Sequence, residues 1–429
     1  MDTIFALATA PGKAGVAVIR ISGPAAFGVA GALAGSVPSV GTARLRKLLD
    51  GQGGHLDDAL VLAFQGPRSF TGEDVVELHT HGSPATVRSV LAAIGATDLA
   101  RMAEPGEFTR RALENDRMDV AQVEGLADLI DAETEAQRVQ ALRVLSGGLG
   151  QLVEQWRENL LRAAALLEVT IDFADEEVPV DVTPEVTSLL TPVMADLRRE
   201  IAGVDVAERI RDGFEVAILG APNAGKSTLL NMLAGREAAI TSDIAGTTRD
   251  VIEVRMDLRG LPVTVLDTAG LRESGDAVER IGIDRARTRA EGADIRVFLQ
   301  SEPGEVPPIS MRDGDIVLLG KGDLHGNTEC AISGVTGLGV SSLIDQLADT
   351  LSTRAARQVT ATHARHGEAM ADSLRSLVAG MDEVQAGPDR TELAAEHLRS
   401  AIRRLDSLIG RIDVEMVLGE IFSRFCLGK

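Results

Sequence analysis

The feature that most constrains this chain is Gly220-Ala-Pro-Asn-Ala-Gly225-Lys226-Ser227, a GxxxxGK[ST] run. It follows the strand-like Phe214-Glu-Val-Ala-Ile-Leu219 and precedes the helical Thr228-Leu-Leu-Asn-Met-Leu-Ala. In that strand–loop–helix context the glycines let backbone N–H groups close around phosphate oxygens, and the helix N-terminus adds partial positive charge. Lys226 is placed to neutralise β- and γ-phosphates, and Ser227 to ligate Mg²⁺. The chain has only five lysines, Lys13, Lys47, Lys226, Lys321 and Lys429, so a chance lysine at this spot is a poor explanation of the match.

The same segment carries further elements in order. Leu261-Pro-Val-Thr-Val-Leu266 reads as a buried strand ending in Asp267-Thr268-Ala269-Gly270, about 40 residues after the P-loop. A carboxylate there can hold Mg²⁺ through water, and the glycine N–H can meet the γ-phosphate. Between them, Thr241-Ser-Asp-Ile-Ala-Gly-Thr247-Thr248 is a hydroxyl-rich loop suited to closing over the metal, with Thr247 or Thr248 as the ligand. After the strand Asp315-Ile-Val-Leu-Leu319 comes Gly320-Lys321-Gly-Asp323, where a guanine site usually has Asn-Lys-x-Asp. Asp323 can accept guanine N1–H and N2–H₂, the stem of Lys321 can cover the base, and an N–H of Ser333-Gly334 can meet O6. Gly320 lacks the side chain that ties this loop to the P-loop, so the reading is GTP over ATP, with weaker base affinity than a complete motif gives.

Around this module the periodicity changes. Residues 1–117 alternate short β-branched runs with Gly and Pro, an α+β pattern. From 118 the apolar residues Leu149, Leu152, Val153, Trp156, Leu160, Ala164 and Leu167 recur at helical spacing, and the helical run ends near Arg209. The module occupies 211–355, and 356–429 returns to helix, with Leu393, Leu398, Ile402, Leu405, Ile409 and Ile412 on one face. Flanking helices imply an α/β module inserted in one helical domain; two separate small helical domains would show the same periodicity. The net charge of −21 argues against a protein that coats nucleic acid, though not against a local basic site. Two cysteines, no basic n-region and no apolar run of membrane length lead us to expect a cytoplasmic protein without membrane attachment.

Many small GTPases place Gln directly after DxxG to orient the attacking water. Here the position is Leu271, which neither donates nor accepts, so hydrolysis must borrow another group. The segment 271–282 offers carboxylates, among them Glu279.

Over essentially its whole length the chain resembles the MnmE/TrmE family of tRNA-modification GTPases. The resemblance rests on Asp2-Thr-Ile-Phe-Ala-Leu-Ala-Thr, Arg20-Ile-Ser-Gly, Phe70-Thr-Gly-Glu-Asp, Glu77-Leu-His-Thr-His-Gly and Pro105-Gly-Glu-Phe-Thr. Asn115-Asp-Arg-Met-Asp and the terminal Phe425-Cys-Leu-Gly-Lys429 complete it. The resemblance implies an N-terminal α+β folate-binding and dimerisation domain, one discontinuous helical domain, and an inserted Ras-like G domain, in a multidomain α/β plus α architecture. It implies a GTPase in which two G domains pair and K⁺ takes the place of an arginine finger. Asn223 matches the K⁺-ligand position, and the loop bearing Thr241, Asp243, Ile244 and Thr247 closes over the ion. Glu279 takes the water-orienting role. The G-domain contacts to GTP or GDP fall on Asn223, Ala224, Gly225, Lys226, Ser227, Thr228, Thr241, Thr247, Thr248, Asp267–Gly270, Lys321, Asp323, Ser333 and Gly334.

The family also binds a tetrahydrofolate derivative, 5-formyl or 5,10-methylene. Arg20, Glu77 and Arg117 match its ligand positions, with Arg117 where lysine is expected, and Lys429 reaches in from the tail. By resemblance the protein is a homodimer working with an FAD-containing MnmG/GidA-type partner, in a heterotetramer or larger, on carbon 5 of the wobble uridine of certain tRNAs. Cys426 is either a nucleophile there or a packed thiol. A ribosome-associated GTPase would leave the folate positions and tail without a role, and a folate-dependent transferase with a merely regulatory G domain would not need hydrolysis.

Overall fold

The computed structural model describes residues 2–172, 181–236, 238–240, 253–267, 288–307, 309–325, 330–356, 359–412, 418–419, 421–422 and 428. The chain divides into two compact units, Met1–Ala127 with Leu145–Gln155 and Arg403–Lys429, and Asp128–Val144 with Trp156–Ile402.

The first unit is built on six strands, β1 (Ile4–Leu7), β2 (Ala14–Ser22), β3 (Ala43–Leu49), β4 (His55–Phe64), β5 (Val75–Gly82) and β6 (Arg101–Met102), in the order β3-β4-β5-β2-β1-β6. Helices α1 (Ala26–Ala34) and α2 (Pro84–Gly95) join this sheet in one core. The alternation of β2 decides which residues serve which face. Ile19 and Ile21 are buried with Val29, Leu33, Val90 and Ile94, each such side chain contributing about 1.5–3 kcal/mol. Arg20 and Ser22 therefore point to the other face. There Phe70 packs with Phe108 of α3 (Glu107–Glu114), Ile4 and Ala6 in a smaller cluster. The chain continues through α4 (Val120–Asp131), α5 (Glu135–Leu145) and α6 (Gly148–Asp172).

In the second unit α7 (Thr183–Asp212) leads into a five-stranded sheet of β7 (Phe214–Gly220), β8 (Glu253–Leu258), β9 (Leu261–Asp267), β10 (Ile295–Gln300) and β11 (Ile316–Leu319). The order is β11-β10-β7-β9-β8, parallel except for the edge strand β8. Parallel strands covered on both faces read as continuous apolar runs, as Val216–Leu219 and Val297–Leu299 do, all of them buried. Helices α8 (Lys226–Ala234) and α10 (Val340–Ala355) cover this sheet, with the short α9 (Gly322–His325) between them in sequence. From β7 the chain runs first to β8 and β9 on one side and then to β10 and β11 on the other. That reversal creates a crevice at the strand C-termini, where open α/β sheets place ligands.

The chain leaving the sheet is tied back to the helix that entered it. Helix α11 (Ala364–Ala386) packs along α7, and the buried Glu200 of α7 accepts from Thr360 N and Oγ1 at 2.8 Å. In α12 (Thr391–Leu408) the structure corrects the expected apolar face. Leu393 and Ile412 are exposed, and the buried stripe is Ala394, Ala395, Leu398, Ala401, Ile402, Leu405 and Leu408. The helix stops before Gly410, whose φ of +83° favours glycine, so Ile409 and Ile412 lie past its end.

Candidate functional site

The P-loop is the connection from β7 to α8. Gly225 at φ +100° and Asn223 at φ +65° turn the chain so that α8 begins at Lys226. The Lys226 ammonium is drawn inward, donating to the carbonyls of Gly220 at 2.7 Å and Ala221 at 2.9 Å. Ala224 is buried, while Ser227 and Thr228 are exposed at the helix start, where an oxygen ligand for a hard cation belongs.

Beside this loop lies a cavity of about 200 Å³, lined by Ala224, Gly225, Thr228, Lys321, Asp323 and Ser333 among others. With Gly334, which lines it as well, seven predicted nucleotide residues thus meet in one pocket. Three short segments build it. Leu319 N donates to Cys330 O and Ile332 N to Leu319 O, both at 2.8 Å, pairing the end of β11 with the 330–332 segment. Lys321 takes φ +53°, which turns the loop so that Gly322 N donates to Ile332 O at 3.0 Å. Ser333 Oγ accepts from Val335 N at 3.2 Å and Thr336 N at 3.3 Å, holding the next turn. Gly334 lies against α8 so closely that a Cβ would come 2.6 Å from Leu229 N. Ile332, which opens the Ile332-Ser333-Gly334 run, supplies one apolar wall, and Leu299 and Leu324 supply others that carry no sequence signal because they are ordinary apolar residues. The pocket offers a flat purine apolar walls, one exposed carboxylate at Asp323 and backbone donors, the composition of a base site.

Glu279, Thr241, Asp243, Ile244, Thr247, Thr248, Thr268, Ala269 and Gly270 lie outside the described residues, as does the side chain of Asp267. Among the described residues no group of three or more His, Cys, Asp or Glu gathers as a metal site, and no helix is long and apolar enough to cross a membrane.

The second set of predicted residues lies in the first unit. Arg20 and Glu77 face each other in register on β2 and β5. Arg20 Nε and Nη2 reach Glu77 Oε1 at 3.1 and 3.0 Å, and His79 Nε2 meets Oε2 at 3.2 Å. The guanidinium also stands over the rings of Phe70, 5.0 Å from the centroid, and Phe108, 5.7 Å. His79, Phe70 and Phe108 were not singled out from sequence, although each falls within a quoted motif. Arg117 is exposed, and its Cγ would lie 3.3 Å from a Cβ on Gly72, in the same Phe70–Asp74 segment. Gly428 lies against β1, where a Cβ would overlap Leu7 O and sit 2.7 Å from its carbonyl carbon. Leu7 is next to Ala6, which pairs with Arg20, so the tail reaches this site one residue short of Lys429. Lys429 and Cys426 lie outside the described residues.

Beneath this site Arg111, 5% exposed, bonds Asp2, Glu73 and Glu107 at once, and Arg101 adds bonds to Asp2 and Glu107. Burial works to raise the Glu107 carboxyl, but hydrogen bonds from Arg101, Glu104 N and Arg111 outweigh it and hold it below the usual range. Ser22 Oγ joins this network through Glu73 at 2.7 Å, which fixes the segment carrying Phe70.

Comparison with known proteins adds an independent line. The description "MnmE helical domain" matches residues 120–426, and "GTP-binding protein TrmE N-terminus" matches residues 3–117. A Ruegeria pomeroyi protein named tRNA modification GTPase MnmE is 62% identical, covering 100% of both chains. One of the same name from Roseobacter denitrificans is 61% identical, again over 100% of both. A solved Era structure from Aquifex aeolicus, bound to GDP and AlF₄⁻, is 26% identical over 32% of this chain and 56% of its own, with a TM-score of 0.25.

Proposed function

The chain belongs to the MnmE family of tRNA modification GTPases, and from that premise we propose how its residues divide the work. It is a GTP hydrolase acting in tRNA modification. The finer reading is a K⁺-dependent GTPase that works with an FAD-containing partner on carbon 5 of the wobble uridine of certain tRNAs. A tetrahydrofolate derivative, 5-formyl or 5,10-methylene, is the one-carbon carrier in that reading, and the protein acts as a homodimer within a larger assembly.

The observation that carries the nucleotide part of this reading is the convergence of the P-loop, the Gly320–Asp323 loop and the Ser333–Gly334 turn on one pocket. Asp323 accepts guanine N1–H and N2–H₂, a pair that adenine does not present, so GTP is chosen over ATP. A backbone N–H of Ser333 or Gly334 meets O6, and the Lys321 stem covers the base. Lys226 balances the β- and γ-phosphates, while Ser227 and Thr248 or Thr247 hold Mg²⁺. Asn223 with the Thr241–Thr247 loop holds K⁺, whose charge offsets that developing near the β–γ bridge. Glu279 orients the water whose oxygen bonds to the γ-phosphorus as the bond to the bridging oxygen breaks.

The folate limb is supported by chemistry already gathered in the first unit. Glu77, with Arg20 held against it, suits the donor edge of a pterin, and the Phe70 and Phe108 rings give apolar faces. Arg117 and Lys429, the latter outside the described residues, are the cations assigned to the carboxylate tail. The segments 1–117, 118–210, 211–355 and 356–429 act in this proposal as folate and dimer domain, helical half, inserted G domain and second helical half. Reconstitution with the flavin partner and tRNA, read by mass spectrometry of the wobble nucleoside, tests the whole. Modification should need both a folate donor and hydrolysable GTP; full modification with either withheld would overturn it.

A further inference from the structure

Gly320 stands where a guanine site usually carries asparagine, and the fold has closed on the missing side chain. A Cβ built on Gly320 would overlap the carbonyl oxygen of Ala224 in the P-loop, 3.3 Å from its carbonyl carbon and 3.4 Å from Gln300 O. The residue is buried, and its N–H donates to Gln300 O at 2.9 Å, which fixes it from the β10 side. On the other side the 330–332 segment pairs with Leu319. The loop is therefore held from β10, from the 330–332 segment and from the P-loop, and the last contact is backbone against backbone. Only hydrogen fits between Gly320 Cα and the Ala224 oxygen, a geometry that admits a weak Cα–H···O contact.

We propose that Gly320 is a positioning residue: it docks the base-reading loop directly on the P-loop, so that in this chain a side chain there, asparagine included, drives the loop away. The tie that an asparagine amide makes elsewhere is replaced by close approach. Restoring the usual Asn-Lys-x-Asp pattern would not repair a weakened site; it would open a closed one. Displacing the loop by the radius of one carbon moves Asp323 off the base edge, because Asp323 is three residues on and Lys321 and Gly322 are held by the same turn. This rests on the base-pocket reading above.

The test compares GDP with inosine diphosphate, which lacks the amino group that Asp323 accepts. Wild-type protein is expected to favour GDP by about tenfold or more, the effect of one hydrogen bond to a charged group. Gly320→Ala and Gly320→Asn should each weaken GDP binding by about tenfold or more and bring that ratio towards one. Inorganic pyrophosphate, which has no base, should compete equally in all three, an outcome that general loss of structure does not give. A Gly320→Asn protein that binds GDP as tightly as wild type and keeps its ratio overturns the proposal. If that variant does not fold, Gly320→Ala decides in the same way, and a wild-type ratio near one overturns it without either. Asp323→Asn separates the two readings. Unchanged GDP affinity there removes the pocket assignment, whereas weakened affinity there with unaltered Gly320 variants removes only this proposal.

Discussion

Arg20 and Glu77 meet across adjacent strands, two guanidinium nitrogens on one carboxylate oxygen at 3.0 and 3.1 Å, each side chain 18% exposed. The pair is structural and, in our reading, also ligand-binding. Removing either partner leaves a largely buried charge and should cost about 1–3 kcal/mol of stability. Glu77→Gln keeps the packing and removes the charge, so it should retain the fold while weakening 5-formyltetrahydrofolate binding by about tenfold or more. Isothermal titration alongside thermal unfolding separates the effects. Unchanged folate affinity in a folded Glu77→Gln protein would remove Glu77 from the site.

The tail makes a second test possible. Phe422, 3% exposed, packs with Val123 and Leu126, beneath the Arg110 guanidinium at 5.1 Å from its centroid. Phe422→Ala should cost about 3–5 kcal/mol. Deleting only Gly428 and Lys429 should spare stability and GTP turnover yet weaken folate binding, because Gly428 lies against β1 beside the Arg20 rung. Equal folate affinity in the truncated protein would remove the tail from the site.

In the G module Arg296 and Asp315 form an ion pair, 5% and 3% exposed, and the Arg296 guanidinium also stands 5.6 Å from the Phe298 centroid. Burial works to raise the Asp315 carboxyl, but the Arg296 hydrogen bonds and the Arg312 N–H outweigh it and hold it below the usual range. A depressed carboxylate contributes stability that is complete above its unfolded pKa and is lost as pH falls through the folded value. The module should therefore lose stability below about pH 4, the ordinary range of the free carboxylate. Asp315→Asn should cost about 3–5 kcal/mol at neutral pH and flatten that acid limb. Thermal unfolding against pH checks both, and an unchanged acid limb would show the pair is not its source.

Much of this arrangement was legible in the sequence because it is carried locally. The P-loop, the Asp315–Leu319 strand and the Lys321–Asp323 turn each declare themselves within a few residues, and the structure brings Gly225, Thr228, Asp323 and Ser333 to one crevice. What was not legible depends on distant backbone. In the sequence Gly320 is only an absent side chain; the close approach of Ala224 O leaves no trace there, since no periodicity records two loops far apart in the chain meeting. The Arg111 network is invisible for the same reason: Glu107 lies one turn away on the same helix, but Asp2 and Glu73 reach Arg111 from chain segments far away in sequence. The apolar face of α12 was misjudged near its end because periodicity cannot see the turn at Gly410.

Lys226→Ala tests the P-loop assignment alone. Losing a charge-assisted contact to phosphate should weaken GDP and GTP binding by about 10- to 100-fold, with the folate site untouched. Fluorescent-nucleotide titration reads this directly. Wild-type affinity in that variant would place nucleotide elsewhere.

The most direct test of the account is steady-state GTP hydrolysis at fixed ionic strength in KCl and in NaCl, over a range of protein concentrations, for wild type and Glu279→Ala. The account predicts turnover that needs K⁺, rises per molecule with concentration as G domains pair, and is largely abolished in Glu279→Ala while nucleotide binding survives. Equal rates in sodium, or an unaffected Glu279→Ala protein, would contradict it.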